Sequence, residues 1–301
     1  MKKFLVFLLC LTMCCTFFCS CGNKGFNDNG KINIVTTCFP AYDFARELCK
    51  DNANIILLLK PGQESHDFEP TPADIINIQK SDLFICVGGE NEKWVESLIE
   101  NEKSLNVLKM LDVVEGHSDS HEHDHTHDEH VWTSPVNAIK IVEAINASLC
   151  TISEENSEIF NKNLEEYKAK LNELDCKFKE ITNQSDSKLI VFADRFPVRR
   201  FTDEYSLEVV SVFSGCSSQS EPSAVAVASV IETVKEKDVS AVFYTEFSNQ
   251  KTADTVCNET GCKKLLFHSC HNLTKEEFDS GETYYSLMLK NAENLKTAIC
   301  N

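Results

Sequence analysis

An uninterrupted apolar stripe in the middle of the chain constrains the fold more than any other feature. Its members step alternately by four and three residues, which places them on one face of an α-helix. They are Phe160, Leu164, Tyr167, Leu171, Leu174, Phe178 and Ile181. The helix that they predict, from about Ser153 to Thr182, is roughly 45 Å long at about 1.5 Å per residue. Such a helix could join two lobes rigidly. As one arm of a helical hairpin it would need an equally long partner, and none follows in the sequence.

Short apolar segments alternate with helical segments on both sides of this stripe. Strands are predicted near residues 32–36, 54–59, 82–87 and 106–108, and again near 188–192, 207–213, 239–244 and 264–267. Strands separated by helices favour parallel sheets. The predicted fold is therefore α/β, with two Rossmann-like lobes of mainly parallel sheet bridged by one long rigid helix. We place the first lobe at 32–152, the linking helix at 153–183 and the second lobe at 184–301.

The first residues carry the pattern of an export signal. Lys2 and Lys3 precede an apolar run of 15 residues, Phe4 to Phe18, which is too short for a comfortable membrane span. The run ends in Phe-Cys-Ser-Cys-Gly, which resembles a lipobox and makes Cys21 the expected lipidated residue. We predict a signal peptide at 1–20, a tether at 21–31 and a lipid anchor on the extracytoplasmic face of the membrane. The alternative is an ordinary signal peptide with incidental cysteines.

The charge balance excludes one class of partner. The formal net charge is -18, whereas nucleic acid binding needs clustered Lys and Arg. An acidic chain suits the capture of cations, although solubility alone would also explain it.

The nine histidines are unevenly spread. Five lie in the low-complexity segment 115–129, which we interpret as a surface loop: His117, His121, His123, His125 and His127. Neutral imidazole binds Zn²⁺, Cu²⁺ and Ni²⁺ well, so this loop is predicted to be an auxiliary metal-binding segment rather than merely a solvated one. The other four are His66, His130, His268 and His271.

Two of these four occupy distinctive contexts. His66 lies in PGQESHDFEPTP after a predicted strand, and ligands bind at strand ends in parallel sheets. His130 lies in DEHVWTSP, where the loop rejoins the fold and Trp132 is expected to be buried. Each histidine alone would be weak evidence for a site.

Together these motifs resemble a family. PGQESHDFEPTP, GGENEKWVE, the His-rich loop, EHVWTSP and SEPSA occur in an order similar to that of the zinc- and manganese-binding receptors of bacterial ABC importers. The resemblance covers about residues 32–291. It implies two α/β lobes bridged by one long helix, with a metal ion in the cleft between them. It also implies delivery of that ion, here expected to be Zn²⁺, to an ABC permease.

The resemblance carries the first two ligands to His66 and His130. The family's third ligand is typically a His or Glu just after the first strand of the second lobe, where this sequence reads VFADRF with Ala193 at the aligned position. A rearranged site is therefore expected. Arg195, the second residue after Ala193, is expected to pair with a carboxylate, as are Arg199 and Arg200.

The fourth family ligand is often an Asp late in the chain, and LLFHSCH aligns His268 with it. We therefore expect His66, His130 and His268 to supply three nitrogens, a set suited to Zn²⁺. Asp194, Glu246 or water could complete the tetrahedron. His271 is the weaker candidate, because it lies further into the loop before Asn272.

Other functions are less well supported. A metallohydrolase would need an open metal position and a general base, and no HExxH, GxSxG or P-loop motif occurs. We expect no enzyme activity. A surface adhesin is compatible with anchoring but does not require an interlobe metal site. Manganese is the closest rival cargo, and a nitrogen-rich set disfavours it. We expect a monomer.

Cysteine use leaves the disulfides open. Four cysteines in apolar stretches are predicted to be small core residues: Cys49, Cys86, Cys150 and Cys176. Cys216 and Cys270 could form a disulfide near the cleft or supply a thiolate ligand. Cys257 and Cys262 flank a turn and offer another pair.

Overall fold

A parallel four-stranded sheet forms the first lobe. The computed structural model describes residues 25–26, 29–64, 68–115, 128–213 and 221–300. In this lobe the strands lie in the order β2-β1-β3-β4, with Ile34 opposite Leu83 and Phe84 opposite Val107. The elements are β1 (Ile32–Thr36), α1 (Phe39–Cys49), β2 (Ala53–Leu57), α2 (Pro72–Gln79), β3 (Leu83–Cys86), α3 (Lys93–Asn101), β4 (Val107–Lys109) and α4 (Met110–Glu115).

Two long helices follow the first sheet. A 3₁₀ turn at Val131–Thr133 leads into α5 (Pro135–Ile152), whose first turn is capped by the Ser134 hydroxyl accepting from the Asn137 backbone N–H. The next helix, α6 (Ser157–Gln184), is the one that the apolar stripe predicts. Every stripe residue is buried, and the stripe belongs to one apolar core that takes in residues of both sheets. The long bridging helix is therefore confirmed.

The second lobe repeats the strand order of the first. Its parallel sheet is ordered β6-β5-β7-β8, so β5 occupies the place that β1 has in the first sheet. The elements are β5 (Leu189–Phe192), α7 (Arg199–Glu204), β6 (Glu208–Ser211), α8 (Ala224–Glu236), β7 (Ala241–Tyr244), α9 (Lys251–Thr260), β8 (Lys263–Leu266), α10 (Lys275–Asp279) and α11 (Tyr284–Ile299). Because both sheets are parallel, the carboxyl ends of neighbouring strands meet at one edge of each lobe.

One cysteine prediction is wrong. Cys49 and Cys86 are buried, as expected, and Cys150 is half-buried, but Cys176 is exposed. Cys176 follows Leu174 by two residues on α6, so it lies about 200° around the helix from the apolar stripe. Among the described residues, no helix combines the length and apolar character that a membrane crossing requires.

Candidate metal-binding cleft

A cleft opens between the two lobes at the carboxyl ends of β2, β5, β7 and β8. Ligands of open α/β sheets bind at this edge. The cleft is lined by Gln63, Glu64, His130, Arg195, Pro197, Thr245, Glu246, Phe247, Ser269, His271 and Asn272. Both lobes therefore contribute side chains to one cavity.

Hydrogen bonds tie the loop after β2 to the loop after β8. The Gly62 backbone N–H donates to the Leu273 carbonyl at 2.7 Å. The Asn272 side-chain amide donates to the carbonyls of Lys60 and Gln63 at 2.8 and 2.9 Å. These bonds fix the backbone on both sides of the cleft.

His130 is held by a carboxylate. Its Nδ1 lies 2.5 Å from Asp128 Oδ1, and Asp128 also accepts from the backbone N–H groups of His130 and Arg199. Burial raises the pKa of Asp128, but these hydrogen bonds outweigh it and lower the pKa below its usual value. An ionised Asp128 assigns the proton to Nδ1 and leaves the ligand lone pair on Nε2. This is the carboxylate–histidine pair that orients metal-binding imidazoles.

His271 faces His130 across the cleft. The two imidazole centroids are 5.2 Å apart at 79°, and the Trp132 ring lies 5.0 Å from His271 and 5.4 Å from His130. The His271 carbonyl accepts from the Phe39 backbone N–H at 3.1 Å. Trp132 is fully buried, as expected, and its Nε1–H donates to the Ser269 carbonyl at 2.9 Å. Trp132 is thus a rigid support for both imidazoles.

His268 lies behind the cleft and does not line it. Its Nδ1 accepts from the Cys270 backbone N–H at 2.9 Å, and its Nε2 is buried 3.6 Å from Glu277 Oε1. The sequence interpretation ranked His268 above His271 as a ligand. The geometry favours the reverse order, because His271 shares the cavity with His130 whereas the ring of His268 points towards Glu277.

Of the two carboxylates predicted as a fourth ligand, only Glu246 lines the cleft. Asp194 does not line the cavity, and its oxygens accept from the backbone N–H groups of Arg195 and Thr245 and from the Thr245 hydroxyl. Glu246 does line it, while accepting from the Ser269 backbone N–H at 2.8 Å and from the Ser269 hydroxyl. Ala193, at the aligned third position, is buried.

Several predicted site residues lie outside the described residues. These are His66, Cys21, Cys216 and the histidines of the loop, namely His117, His121, His123, His125 and His127. Within the described part of the chain, no three His, Cys, Asp or Glu side chains form a group that could hold a metal ion. His66 therefore stays a prediction.

Sequence reasoning missed the roles of Asp128 and Glu64. Asp128 precedes His130 by only two residues, and that spacing could have indicated a partner for the ring. Arg195 pairs with Glu64 and Arg200 with Glu115, so the expected pairing of these two arginines with carboxylates is confirmed. Nothing in the sequence indicated that Glu64 and Arg195 meet across the cleft.

Comparison with known proteins identifies the family. The family model described as "Zinc-uptake complex component A periplasmic" matches residues 34–298. The chain belongs to this family. Its family resemblance and its two-lobed fold are thereby confirmed.

Curated relatives and solved structures support the assignment. The high-affinity zinc uptake system protein ZnuA of Bacillus subtilis is 34% identical, over 97% of each chain. The zinc-binding lipoprotein AdcA of Streptococcus pneumoniae is 35% identical over 98% of this chain, which spans 61% of AdcA. The crystal structure of the Zn(II)-bound ZnuA-like domain of AdcA matches with a TM-score of 0.77 and 33% identity, covering 90% of this chain and 100% of that domain.

Proposed function

We propose that this protein is a zinc receptor that captures Zn²⁺ outside the cell and delivers it to an ABC permease. The observation that carries the proposal is the pair of imidazoles, His130 and His271, that face each other in the interlobe cleft. Membership of the zinc-uptake family and the names of the relatives support the same cargo.

The proposed first coordination sphere contains three imidazoles. His130 binds through Nε2, because Asp128 occupies Nδ1. His271 joins it from the second lobe, and the family resemblance supplies His66 as the third ligand. Water or a carboxylate at the cleft completes the tetrahedron. A nitrogen-rich set favours Zn²⁺ over Mn²⁺, which prefers oxygen ligands.

The stiffness of α6 suggests how the receptor works. Its apolar face is buried in a core shared by both lobes, so a wide hinge motion would expose that core. We propose small lobe movements with local rearrangement of the loops at the cleft. The same scattering profile for metal-free and zinc-loaded protein would support this, and a large compaction would contradict it.

The finer assignments of partner and location belong to the same proposal. Cys21 carries the lipid anchor, the segment 115–129 gathers metal near the cleft, and the protein acts as a monomeric receptor without enzymatic turnover. The relatives named as lipoproteins support the anchor. Labelling with a radioactive fatty acid that disappears in Cys21→Ala would support lipidation, and persistent labelling would contradict it.

Competition against a chromogenic chelator tests the zinc site. The full chain, a variant lacking residues 116–127, and His130→Ala in that shortened background are titrated with Zn²⁺ and Mn²⁺. We expect the shortened protein to retain one tight zinc site that greatly prefers Zn²⁺ and that His130→Ala abolishes. Equal affinity for the two ions, or indifference to His130→Ala, would overturn the proposal.

A further inference from the structure

An arginine lies inside the proposed cation cleft. The guanidinium of Arg195 lines the same cavity as His130 and His271. A fixed positive charge at this place opposes the binding of a dication. Its presence in a zinc receptor therefore calls for a physical explanation.

Arg195 holds Glu64 in a two-point contact across the cleft. Its Nη1 and Nη2 lie 3.3 Å from Glu64 Oε2 and Oε1, the parallel arrangement in which a guanidinium matches a carboxylate. Arg195 follows β5 of the second lobe, whereas Glu64 follows β2 of the first. This ion pair brings opposite charges of the two lobes together in the cleft.

The backbone on both sides of this pair is fixed, so the side chains are the adjustable parts. The Arg195 backbone N–H donates to Asp194, which is itself held by Thr245. Next to Glu64, the Gln63 carbonyl accepts from the Asn272 amide. The Glu64 side chain is 42% exposed, which leaves it room to turn within the cleft.

We infer that Arg195 competes with the bound cation for the Glu64 carboxylate and thereby sets how readily the receptor releases zinc. This inference rests on the proposed function. A dication at the imidazoles attracts Glu64 and repels Arg195, so loading weakens the ion pair. Reformation of the ion pair favours the empty cleft and assists transfer of zinc to the permease.

The test measures zinc affinity and dissociation rate in the full chain. Arg195→Gln should bind zinc at least about fivefold more tightly, the lower end of typical coupling between sites, and should release it more slowly. Lys177→Gln is the matched control, because it removes one positive charge from an ion pair between α6 and α11. The control should retain wild-type affinity and release.

A double-mutant cycle separates competition from simple repulsion. Glu64→Gln should weaken zinc binding, and the gain from Arg195→Gln should shrink in the Glu64→Gln background. Unchanged or weakened binding in Arg195→Gln, or an equal gain in both backgrounds, would overturn the inference. If Arg195→Gln folds poorly, Arg195→Lys replaces it in the test. Arg195→Lys keeps the charge without the paired geometry, so its gain in zinc affinity over the wild type should be smaller. These failures would leave the proposed function standing, because its test depends on His130 and on the preference for Zn²⁺.

Discussion

Asp128 Oδ1 lies 2.5 Å from His130 Nδ1, which makes this carboxylate the direct partner of a proposed zinc ligand. Asp128 fixes both the tautomer and the direction of the ring, and its own oxygens are held by backbone donors at His130 and Arg199. The proposed ligand is thus oriented before any metal arrives.

Replacement of this carboxylate should weaken the site without removing a ligand. We expect Asp128→Asn to lower zinc affinity roughly 10- to 100-fold, as is common for partners of metal-binding histidines. Chelator competition measures the change. Asp175→Asn is the matched control, since Asp175 lies on α6, accepts from the Tyr205 hydroxyl and does not line the cleft. Equal affinities of Asp128→Asn and the control would contradict the role of Asp128.

Replacement of His271 and of His268 by Gln tests which of the two is the zinc ligand. His271→Gln should weaken zinc binding by more than the roughly 10- to 100-fold expected for the loss of a ligand's partner. His268→Gln should keep near wild-type affinity but lose about 1–3 kcal/mol of stability, because it removes a buried acceptor of the Cys270 N–H. Calorimetric titration and urea unfolding measure the two effects. Loss of zinc binding in His268→Gln alone would restore His268 as the ligand.

The pair of Glu277 and His268 predicts how stability depends on pH. Burial raises the pKa of Glu277, but the nearby His268 ring and hydrogen bonds from Thr274 outweigh it and lower the pKa from 4.5 to about 2. This contribution is complete above pH 4.5 and is lost as the pH falls towards 2. Burial lowers the pKa of His268, but Glu246 and Glu277 raise it above 6.5, so its contribution is complete below that pH and is lost as the pH rises through the folded pKa.

Glu277→Gln should therefore flatten the acid limb of the stability profile. Between pH 4.5 and 6.5, we expect the free energy of unfolding of this variant to be lower than that of the wild type by on the order of 2 kcal/mol. Urea unfolding of metal-free protein at several pH values measures it. The exposed neighbour gives the matched control Glu276→Gln, which should leave the profile unchanged. If stability falls with decreasing pH in the same way in both variants, the proposed contribution of the Glu277–His268 pair is wrong.

The thiols of Cys257 and Cys262 are positioned to form a disulfide. Their sulfurs lie 3.5 Å apart, because Gly261 at φ 80° ends α9 and turns the chain back into β8. Glutathione disulfide should oxidise the pair and release two reduced glutathiones. Burial raises the pKa of Cys257 to about 12, so we expect slow exchange that accelerates at alkaline pH.

Peptide mapping by mass spectrometry checks this disulfide. The peptide joining Cys257 and Cys262 should lose two hydrogens, and Cys257→Ser should prevent the loss. Cys49, whose pKa burial also raises to about 12, is buried and should stay a thiol. Mixed glutathione adducts at Cys257 without internal pairing would refute the prediction.

The periodicity of the chain was sufficient to predict its architecture. The stripe from Phe160 to Ile181 predicts α6 because a helix buries side chains at a spacing of three and four residues, whatever packs against them. The alternating strands predict two parallel sheets for a similarly local reason. The ends of α6 and of most strands differ from the predictions by a few residues, because a periodic pattern defines the middle of an element better than its ends.

The choice of ligands depended on the path of one loop. His268 and His271 are three residues apart, and no periodic pattern distinguishes them. The backbone of buried Cys270 is left-handed, with φ 62°, and changes the direction of the chain between them. The ring of His268 therefore faces Glu277, and that of His271 faces His130. The sequence by itself determined two lobes, a rigid linking helix and a supply of imidazoles. Only the tertiary structure decided which imidazoles meet and that Arg195 lies among them, because those contacts join residues far apart in the chain.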